Sequence, residues 1–139
     1  MGESFWIFVQ QLINGITLGA TYAVVAVGYT LVFGVLGVVN LAHGDIMMMG
    51  AMAGWLAARV VGPNFGAVIL AAMLTSGALG LAMERAAIRP LSRAHALAPM
   101  ISTIGVSIFL QSLAARLFGP YRLSFPPVLP GYLLTVGPL

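Results

Sequence analysis

The segment 40–45, Asn-Leu-Ala-His-Gly-Asp, carries the residues of this chain best suited to polar chemistry. His43 and Asp45 are the only His or charged residues between Glu3 and Arg59. A bilayer core offers no water to unpaired backbone groups, and ionisable side chains there cost free energy unless they find partners. We therefore expect this segment, which we call the polar break, to be buried in protein or to line a cavity.

Three roles fit the residue types of the polar break. Asn40, His43 and Asp45 could line a pathway beside the exposed end of a half-helix, whose backbone dipoles bind polar groups. The same side chains could instead tie the break to a neighbouring helix. Proton transfer by His43 is a third role, because imidazole titrates near neutral pH. Asn40 is also predicted to cap a helix that begins at Leu41, which places Asp45 in the second turn.

The composition identifies the surroundings of the polar break. Of the 139 residues, 60% are hydrophobic and 6% are charged, with a mean hydropathy of +1.04. A soluble domain has about 25% charged residues, so we predict an integral membrane protein. Six basic residues, all of them Arg, do not make a nucleic-acid-binding surface. The lack of Cys excludes disulfides, thiolate metal ligands and a Cys nucleophile.

The apolar runs predict an all-α, polytopic membrane protein with about four transmembrane spans in one domain, since about 20 apolar residues cross a bilayer as a helix. The predicted spans are residues 5–28, 30–61, 66–83 and 99–118. The second span is predicted to be discontinuous around Asn40–Asp45, and the alternative is one continuous helix with a polar middle. No basic region precedes the first run, so we expect it to be retained rather than cleaved as a signal.

Polar and small residues recur within these spans at helical spacing. The polar residues are Gln10, Asn14, Thr17 and Thr21 in the first span and Thr103, Ser107 and Gln111 in the fourth. The small residues are Gly15, Gly19 and Ala23 in the first span and Gly50, Gly54 and Ala58 in the second. Such faces allow close backbone approach and hydrogen bonds between helices. We expect them to face protein or a cavity, or to serve only as packing seams.

A charged loop, residues 84–98, separates the third and fourth predicted spans. Its arginines recur every four residues at Arg85, Arg89 and Arg93. Arg-rich loops stay in the cytoplasm, so this loop is predicted to lie inside, and counting back through the spans puts the N-terminus outside. The arginines are expected either to anchor the loop at lipid headgroups or to face a cytoplasmic partner.

No catalytic constellation is visible in the sequence. Two His, three acidic residues and no glycine-rich phosphate loop followed by Lys leave nothing to hydrolyse ATP. The methionines beside the polar break are typical of a soft apolar cluster rather than of a copper site, which would need supporting Cys or His. We therefore predict no enzyme activity, no metal site and no cofactor.

Several motifs, taken together, resemble one family. In chain order they are QLING at 11–15, GYTLVFGVLG at 28–37, NLAHGD at 40–45, ER at 84–85, RPL at 89–91 and STIGVS at 102–107. Their types and order are similar to the N-terminal half of LivH-type permeases, the membrane subunits of ABC importers for branched-chain amino acids. Urea and short-amide permeases show the same pattern, so the motifs do not separate these substrates.

The resemblance implies a multi-pass subunit of a bacterial-type inner membrane that moves hydrophobic amino acids by alternating access. The implied partners are a second permease subunit, ABC ATPase subunits, a periplasmic substrate-binding protein and the lipid bilayer. Arg85, Arg89 and Arg93 would then face the cytoplasmic partners, and proton transfer by His43 would have no place in the cycle. The candidate pathway residues are Asn14, Thr17, Thr21, Asn40, His43, Asp45, Thr103 and Ser107.

The chain departs from the resembled family in length. It corresponds to about half of such a permease, and the family's later cytoplasmic helix, which docks on the ATPase, has no counterpart in these residues. Two alternatives therefore stand beside an importer subunit. One is a passive pore for small solutes, built from the polar faces of the first and fourth spans. The other is a fragment that does not transport.

Overall fold

The computed structural model describes residues 2–91, 97–120 and 123–127, and this part of the chain contains helices and no strand. The α-helices are α1 (Gly2–Leu36), α2 (His43–Val60), α3 (Phe65–Met83) and α4 (Leu97–Phe118). The chain divides into two compact units. Among the described residues, the first unit contains α1 and Gly37, and the second contains α2, α3 and α4.

Three helical segments are long and apolar enough to cross a membrane: Ser4–Leu36, Phe65–Leu91 and Leu97–Phe118. The remaining α-helix of the described chain, α2, has 18 residues and is not one of these three segments. Large apolar side chains lie on the outside of these helices, among them Phe8 in α1 and Met73 in α3. Contiguous apolar surface of this extent is typical of a protein that faces lipid or other subunits. The prediction of an all-α, polytopic membrane protein is confirmed.

Helix α1 is longer than the first predicted span. It continues to Leu36 and so includes residues 30–36, which the sequence predicts as part of the half-helix that opens the broken second span. It ends at Gly37, whose φ is 64° and whose N–H donates to the carbonyl of Phe33 at 2.8 Å. This left-handed conformation at a helix end favours glycine, which has no Cβ to clash. The predicted half-helix therefore belongs to α1.

The turn between α2 and α3 has the expected Gly-Pro-Asn chemistry. Gly62 has a φ of 89°, and its carbonyl accepts a hydrogen bond from the N–H of Asn64 at 2.7 Å. The side-chain Oδ1 of Asn64 then accepts from the N–H of Ala67 at 3.3 Å and caps α3. A connection this short makes α2 and α3 neighbours that run in opposite directions.

Helices α2 and α3 pack through the glycines of α2. Gly50 and Gly54 are both buried. A Cβ added at Gly50 would collide with Oγ of Ser76 and lie 3.2 Å from the carbonyl oxygen of Ala72. A Cβ added at Gly54 would lie 3.3 Å from Cγ1 of Val68. The small-residue spacing in α2 thus lets the two backbones approach closely.

Helix α3 passes directly into a π-helical turn, Glu84–Ile88, and a 3-10 turn, Arg89–Leu91. The backbone N–H of Arg89 donates to the carbonyl of Glu84, five residues earlier, and Nε of Arg89 donates to Oε1 of Glu84 at 3.1 Å. Ala87 and Ile88 are buried. The first part of the predicted loop 84–98 is therefore helical, and residues 92–96 lie outside the described part of the chain.

Candidate functional site at the polar break

The polar break is a hydrogen-bonded turn that leads into α2. Asn40 is 4% exposed, and its side-chain Oδ1 accepts from the N–H of Ala42 at 3.0 Å. Its backbone carbonyl accepts from the N–H of His43 at 3.4 Å. An Asn side chain that bonds the backbone two residues further on forms an Asx turn. Asn40 therefore supplies the acceptors for the N–H groups of Ala42 and His43, which come before the first helical hydrogen bonds of α2.

Helix α2 begins later than the sequence predicted. Its N-cap position is Ala42, which offers no capping side chain, and the N–H of Ile46 donates to the carbonyl of Ala42 at 3.1 Å. Asn40 is therefore not the N-cap of a helix from Leu41. Asp45 lies in the first turn of α2 instead of the second, a position where the helix dipole favours a carboxylate.

Thr103 of α4 joins that helix to the polar break. It is fully buried, and its hydroxyl donates to the carbonyl of Met100 at 2.8 Å. The same Oγ1 accepts from the N–H of Leu41 at 3.3 Å. Leu41 precedes α2 and has no helical partner for its N–H, so a side chain of another helix satisfies this backbone donor.

Gln111 makes the second link between α4 and α2. Its Nε2 donates to Oδ1 of Asp45 and to Oγ of Ser107, each at 3.1 Å. Asp45 and Ser107 are half-buried, whereas Gln111 is exposed. The polar face of α4, with members four residues apart, therefore meets the polar break along two turns of helix.

The structure brings five of the predicted site residues into this second unit: Asn40, His43, Asp45, Thr103 and Ser107. All five take part in the hydrogen bonds of the break and its link to α4, His43 through its backbone N–H. His43 is the first residue of α2 and is half-buried. Asp45 is the residue of the break whose side chain is hydrogen-bonded to α4, through Gln111.

The other three predicted residues, Asn14, Thr17 and Thr21, lie in α1 and belong to the first unit. Thr17 donates from its hydroxyl to the carbonyl of Ile13 at 2.9 Å, and Thr21 donates to the carbonyl of Thr17 at 3.0 Å. A Thr hydroxyl bonded to the preceding turn remains compatible with an apolar environment. All three side chains are exposed on α1.

The predicted partner-facing arginines lie at the end of α3. Arg85 is exposed, and Arg89 forms an ion pair with Glu84 at 3.1 Å, with side-chain exposures of 70% and 27%. Arg93 lies outside the described residues. Glu84 and Arg89 are thus linked twice across the π-helical turn, by the ion pair between their side chains and by the hydrogen bond between their backbone groups.

The chemistry available at the polar break is hydrogen bonding together with one carboxylate, that of Asp45, and one imidazole, that of His43. Within residues 2–91, 97–120 and 123–127, no group of three or more His, Cys, Asp or Glu is placed to hold a metal ion. The arrangement can fix a helix start and present the acceptor oxygens of Asp45 and the hydroxyl of Ser107 to a polar solute.

The sequence did not identify the contacts of two residues, Gln111 and Trp55, that the structure shows. Gln111 shares the face of Thr103 and Ser107 but was not predicted as a site residue. Trp55 of α2 donates from Nε1 to the carbonyl of Ser124 at 3.0 Å. The Trp55 ring also meets Phe118 edge-on at 6.3 Å, while Cζ of Arg59 lies 4.9 Å from its centre. The spacing of Trp55 and Arg59, four residues apart, was the available signal for a cation–π pair.

Comparison with known proteins gives a consistent result. The profile of a family described as branched-chain amino acid transport system, permease component, matches residues 11–133. The chain is 37% identical over 139 aligned residues to the high-affinity branched-chain amino acid transport system permease protein LivH of Escherichia coli (strain K12), covering 94% of this chain and 45% of that protein. The same values hold for LivH of Salmonella typhimurium.

A third relative is the high-affinity branched-chain amino acid transport system permease protein BraD of Pseudomonas aeruginosa. The identity is 37% over 132 residues, covering 89% of this chain and 43% of that protein. The chain thus spans less than half the length of these curated relatives. No solved structure matches it.

Proposed function

The chain belongs to the family of branched-chain amino acid transport system permeases, and we propose from this premise that it serves as a membrane permease component of an ABC importer. Its proposed cargo is a branched-chain amino acid, and its proposed location is a bacterial inner membrane. The observation that carries the proposal is the polar break, held by hydrogen bonds against α4 inside a multi-pass membrane protein of this family.

Burial divides the candidate pathway residues of the second unit into two groups. Asn40 and Thr103 are almost fully buried and already bonded to backbone groups, so we assign them the role of holding the break in shape. His43, Asp45 and Ser107 are half-buried, so part of each residue remains accessible. These three side chains are the ones proposed to contact a passing amino acid.

The proposed pathway also includes the polar face of α1. Asn14, Thr17 and Thr21 are exposed, and a threonine hydroxyl oxygen that donates to its own helix keeps a lone pair for a solute. Weakly polar groups suit a zwitterion that must bind and then leave. We assign no proton transfer to His43, because ATP hydrolysis would drive the proposed cycle.

The proposed energy source and delivery protein are separate subunits. They are a second permease subunit, ABC ATPase subunits and a periplasmic substrate-binding protein. Arg85 and the exposed Arg89 mark the end of α3 as the proposed cytoplasmic side, because Arg-rich segments stay in the cytoplasm. They would lie there among lipid phosphates or against the ATPase subunits.

The test is reconstitution of the full-length protein in liposomes with its partner permease, ATPases and binding protein. We expect uptake of labelled leucine that requires both ATP and the binding protein. Replacing residues 40–45 by a run of Ala and Leu should abolish this uptake. The matched control is Ser112→Ala on α4, since the exposed Ser112 hydroxyl donates to the carbonyl of Ile108 in its own helix and bonds no other described residue.

Three results would contradict the proposal. Uptake of urea in place of leucine would transfer the assignment to the amide permeases. Leucine flux through this protein alone, without ATP, would favour a passive pore. Unchanged leucine uptake after replacement of the polar break would remove that segment from the pathway.

A further inference from the structure

We propose that Gln111 is a positioning residue, which holds the carboxylate of Asp45 so that its negative charge receives the ammonium group of the transported amino acid. The inference rests on the proposed function and names a specific contact within it. It begins from a hydrogen-bond geometry that the sequence pattern did not reveal.

The geometry uses both hydrogens of one nitrogen. Nε2 of Gln111 lies 3.1 Å from Oδ1 of Asp45 and 3.1 Å from Oγ of Ser107. A carboxylate accepts hydrogen bonds and cannot donate them, so the amide must turn its NH2 group towards Asp45. The second bond, to Ser107 in the same helix, holds the amide in that orientation. Gln111 therefore fixes the position of Oδ1 with respect to α4.

The charges around Asp45 explain why a cation is the expected ligand. Its partner is a neutral amide, and the ion pair found within the described residues is Glu84–Arg89, which does not involve Asp45. The amide of Gln111 and the dipole at the start of α2 direct partial positive charge towards Asp45, and neither supplies a full positive charge. A charge in low-dielectric surroundings attracts an opposite charge much more strongly than it does in water.

The free acceptor on this carboxylate is also defined. Gln111 donates to Oδ1, and no hydrogen bond to Oδ2 is found within the described part of the chain. An ammonium group has three donors and carries the complementary charge. Within the described residues no Lys or Arg side chain pairs with Asp45, so a branched-chain amino acid would bring the complementary cation, while its apolar side chain would suit the surrounding helices.

The test separates this role from that of a simple tie between two helices. The purified complex of permease and ATPase subunits, without binding protein, is titrated with leucine and with 4-methylpentanoate, which is leucine without its ammonium group. We expect the wild-type protein to prefer leucine. Gln111→Leu should weaken leucine binding about ten-fold, the loss expected for one hydrogen bond to a charged group. Its effect on 4-methylpentanoate should be small, and Ser112→Ala is the matched control.

A double substitution gives the decisive readout. Asp45→Asn combined with Gln111→Glu keeps an amide-to-carboxylate bond between the helices but moves the charge from α2 to α4. We expect each of the two single substitutions to lower both the thermal stability and the preference for leucine. The double substitution should restore the stability towards the wild-type value but not the preference for leucine. Recovery of that preference would show that Gln111 acts only as a tie and would overturn the inference.

Failure of this inference is distinguishable from failure of the proposed function. ATP-dependent leucine uptake by the wild-type importer, combined with unchanged leucine preference in Gln111→Leu, would overturn the inference alone. Equal binding of leucine and 4-methylpentanoate by the wild-type complex would do the same. Lack of any ATP-dependent leucine uptake by the wild-type importer would overturn both.

Discussion

The buried hydroxyl of Thr103 accepts a hydrogen bond from the backbone N–H of Leu41, 62 positions away in the sequence, over 3.3 Å. This bond supplies an acceptor to a donor that the break in helical structure leaves outside α2. It also sets where α4 meets the start of α2. An apolar residue of the same shape at position 103 would leave the Leu41 N–H without this partner.

We expect Thr103→Val to lower the free energy of unfolding by about 0.5–1.5 kcal/mol, the net contribution of one hydrogen bond, because it removes the acceptor of the part-buried Leu41 N–H. Thr103→Ser keeps the hydroxyl and should lose less. Thermal unfolding of the purified protein in detergent, followed by circular dichroism, measures both. Equal stability of Thr103→Val and Ser112→Ala would show that this bond contributes nothing measurable.

We expect Gly50→Ala to destabilise the packing of α2 on α3 by about 1–3 kcal/mol, the usual range for overpacking. The added methyl would meet the hydroxyl of Ser76 and the backbone carbonyl of Ala72, and a backbone cannot move aside easily. The same unfolding experiment measures the loss. Combining Gly50→Ala with Ser76→Ala should recover only part of it.

Gly77→Ala is the matched control for this prediction. Gly77 lies in α3, where an added Cβ would meet nothing within 4 Å, so Ala should be neutral or slightly stabilising through its better helix propensity. If Gly50→Ala and Gly77→Ala behaved alike, the close approach of α2 and α3 at Gly50 would be wrong.

We expect Trp55→Phe to loosen residues 123–125 while leaving the helices intact. Phe keeps an aromatic ring beside Phe118 but lacks the indole N–H that donates to Ser124. Loss of one hydrogen bond of about 1 kcal/mol should raise local amide hydrogen exchange by about five-fold. Trp6→Phe, in α1, is the control and should leave exchange in this segment unchanged.

We expect Glu84→Gln to change the free energy of unfolding by less than about 1 kcal/mol, because exposed ion pairs contribute little. Glu84 rather than Arg89 is the residue to replace, since Arg89 makes further interactions. Arg85→Gln, beside it and exposed, serves as the comparison. A loss several times larger than that of Arg85→Gln would show that the ion pair holds the π-helical turn together.

Local chemistry accounts for the features that the sequence predicted correctly. The Gly-Pro-Asn turn after α2 forms because Gly62 adopts positive φ and Asn64 caps the next helix. The membrane class follows from the scarcity of charge, and the small-residue spacing of α2 follows from the need for close backbone approach. Each of these features is set by residues near one another in the chain.

The errors at the polar break came from competition between local signals. Asn40 has a favoured N-cap side chain, yet it bonds Ala42 in an Asx turn, and the helix begins at His43 instead of Leu41. Residues 29–39 look like a separate half-helix because they form a short apolar piece that contains Gly34 and Gly37, but of these two glycines Gly37 alone is left-handed and α1 runs on to Leu36. Propensity could not decide which of several glycines would end the helix.

By itself, the sequence determined that this is a helical membrane protein, that polar residues share a face on the fourth predicted span, and that a polar segment interrupts the apolar chain near Asn40. The tertiary structure alone decided that this face meets this segment, through Thr103 with Leu41 and Gln111 with Asp45. Helical periodicity fixes which residues share a face but not which helix that face will meet. That choice follows from hydrogen bonds and close packing between residues far apart in the chain.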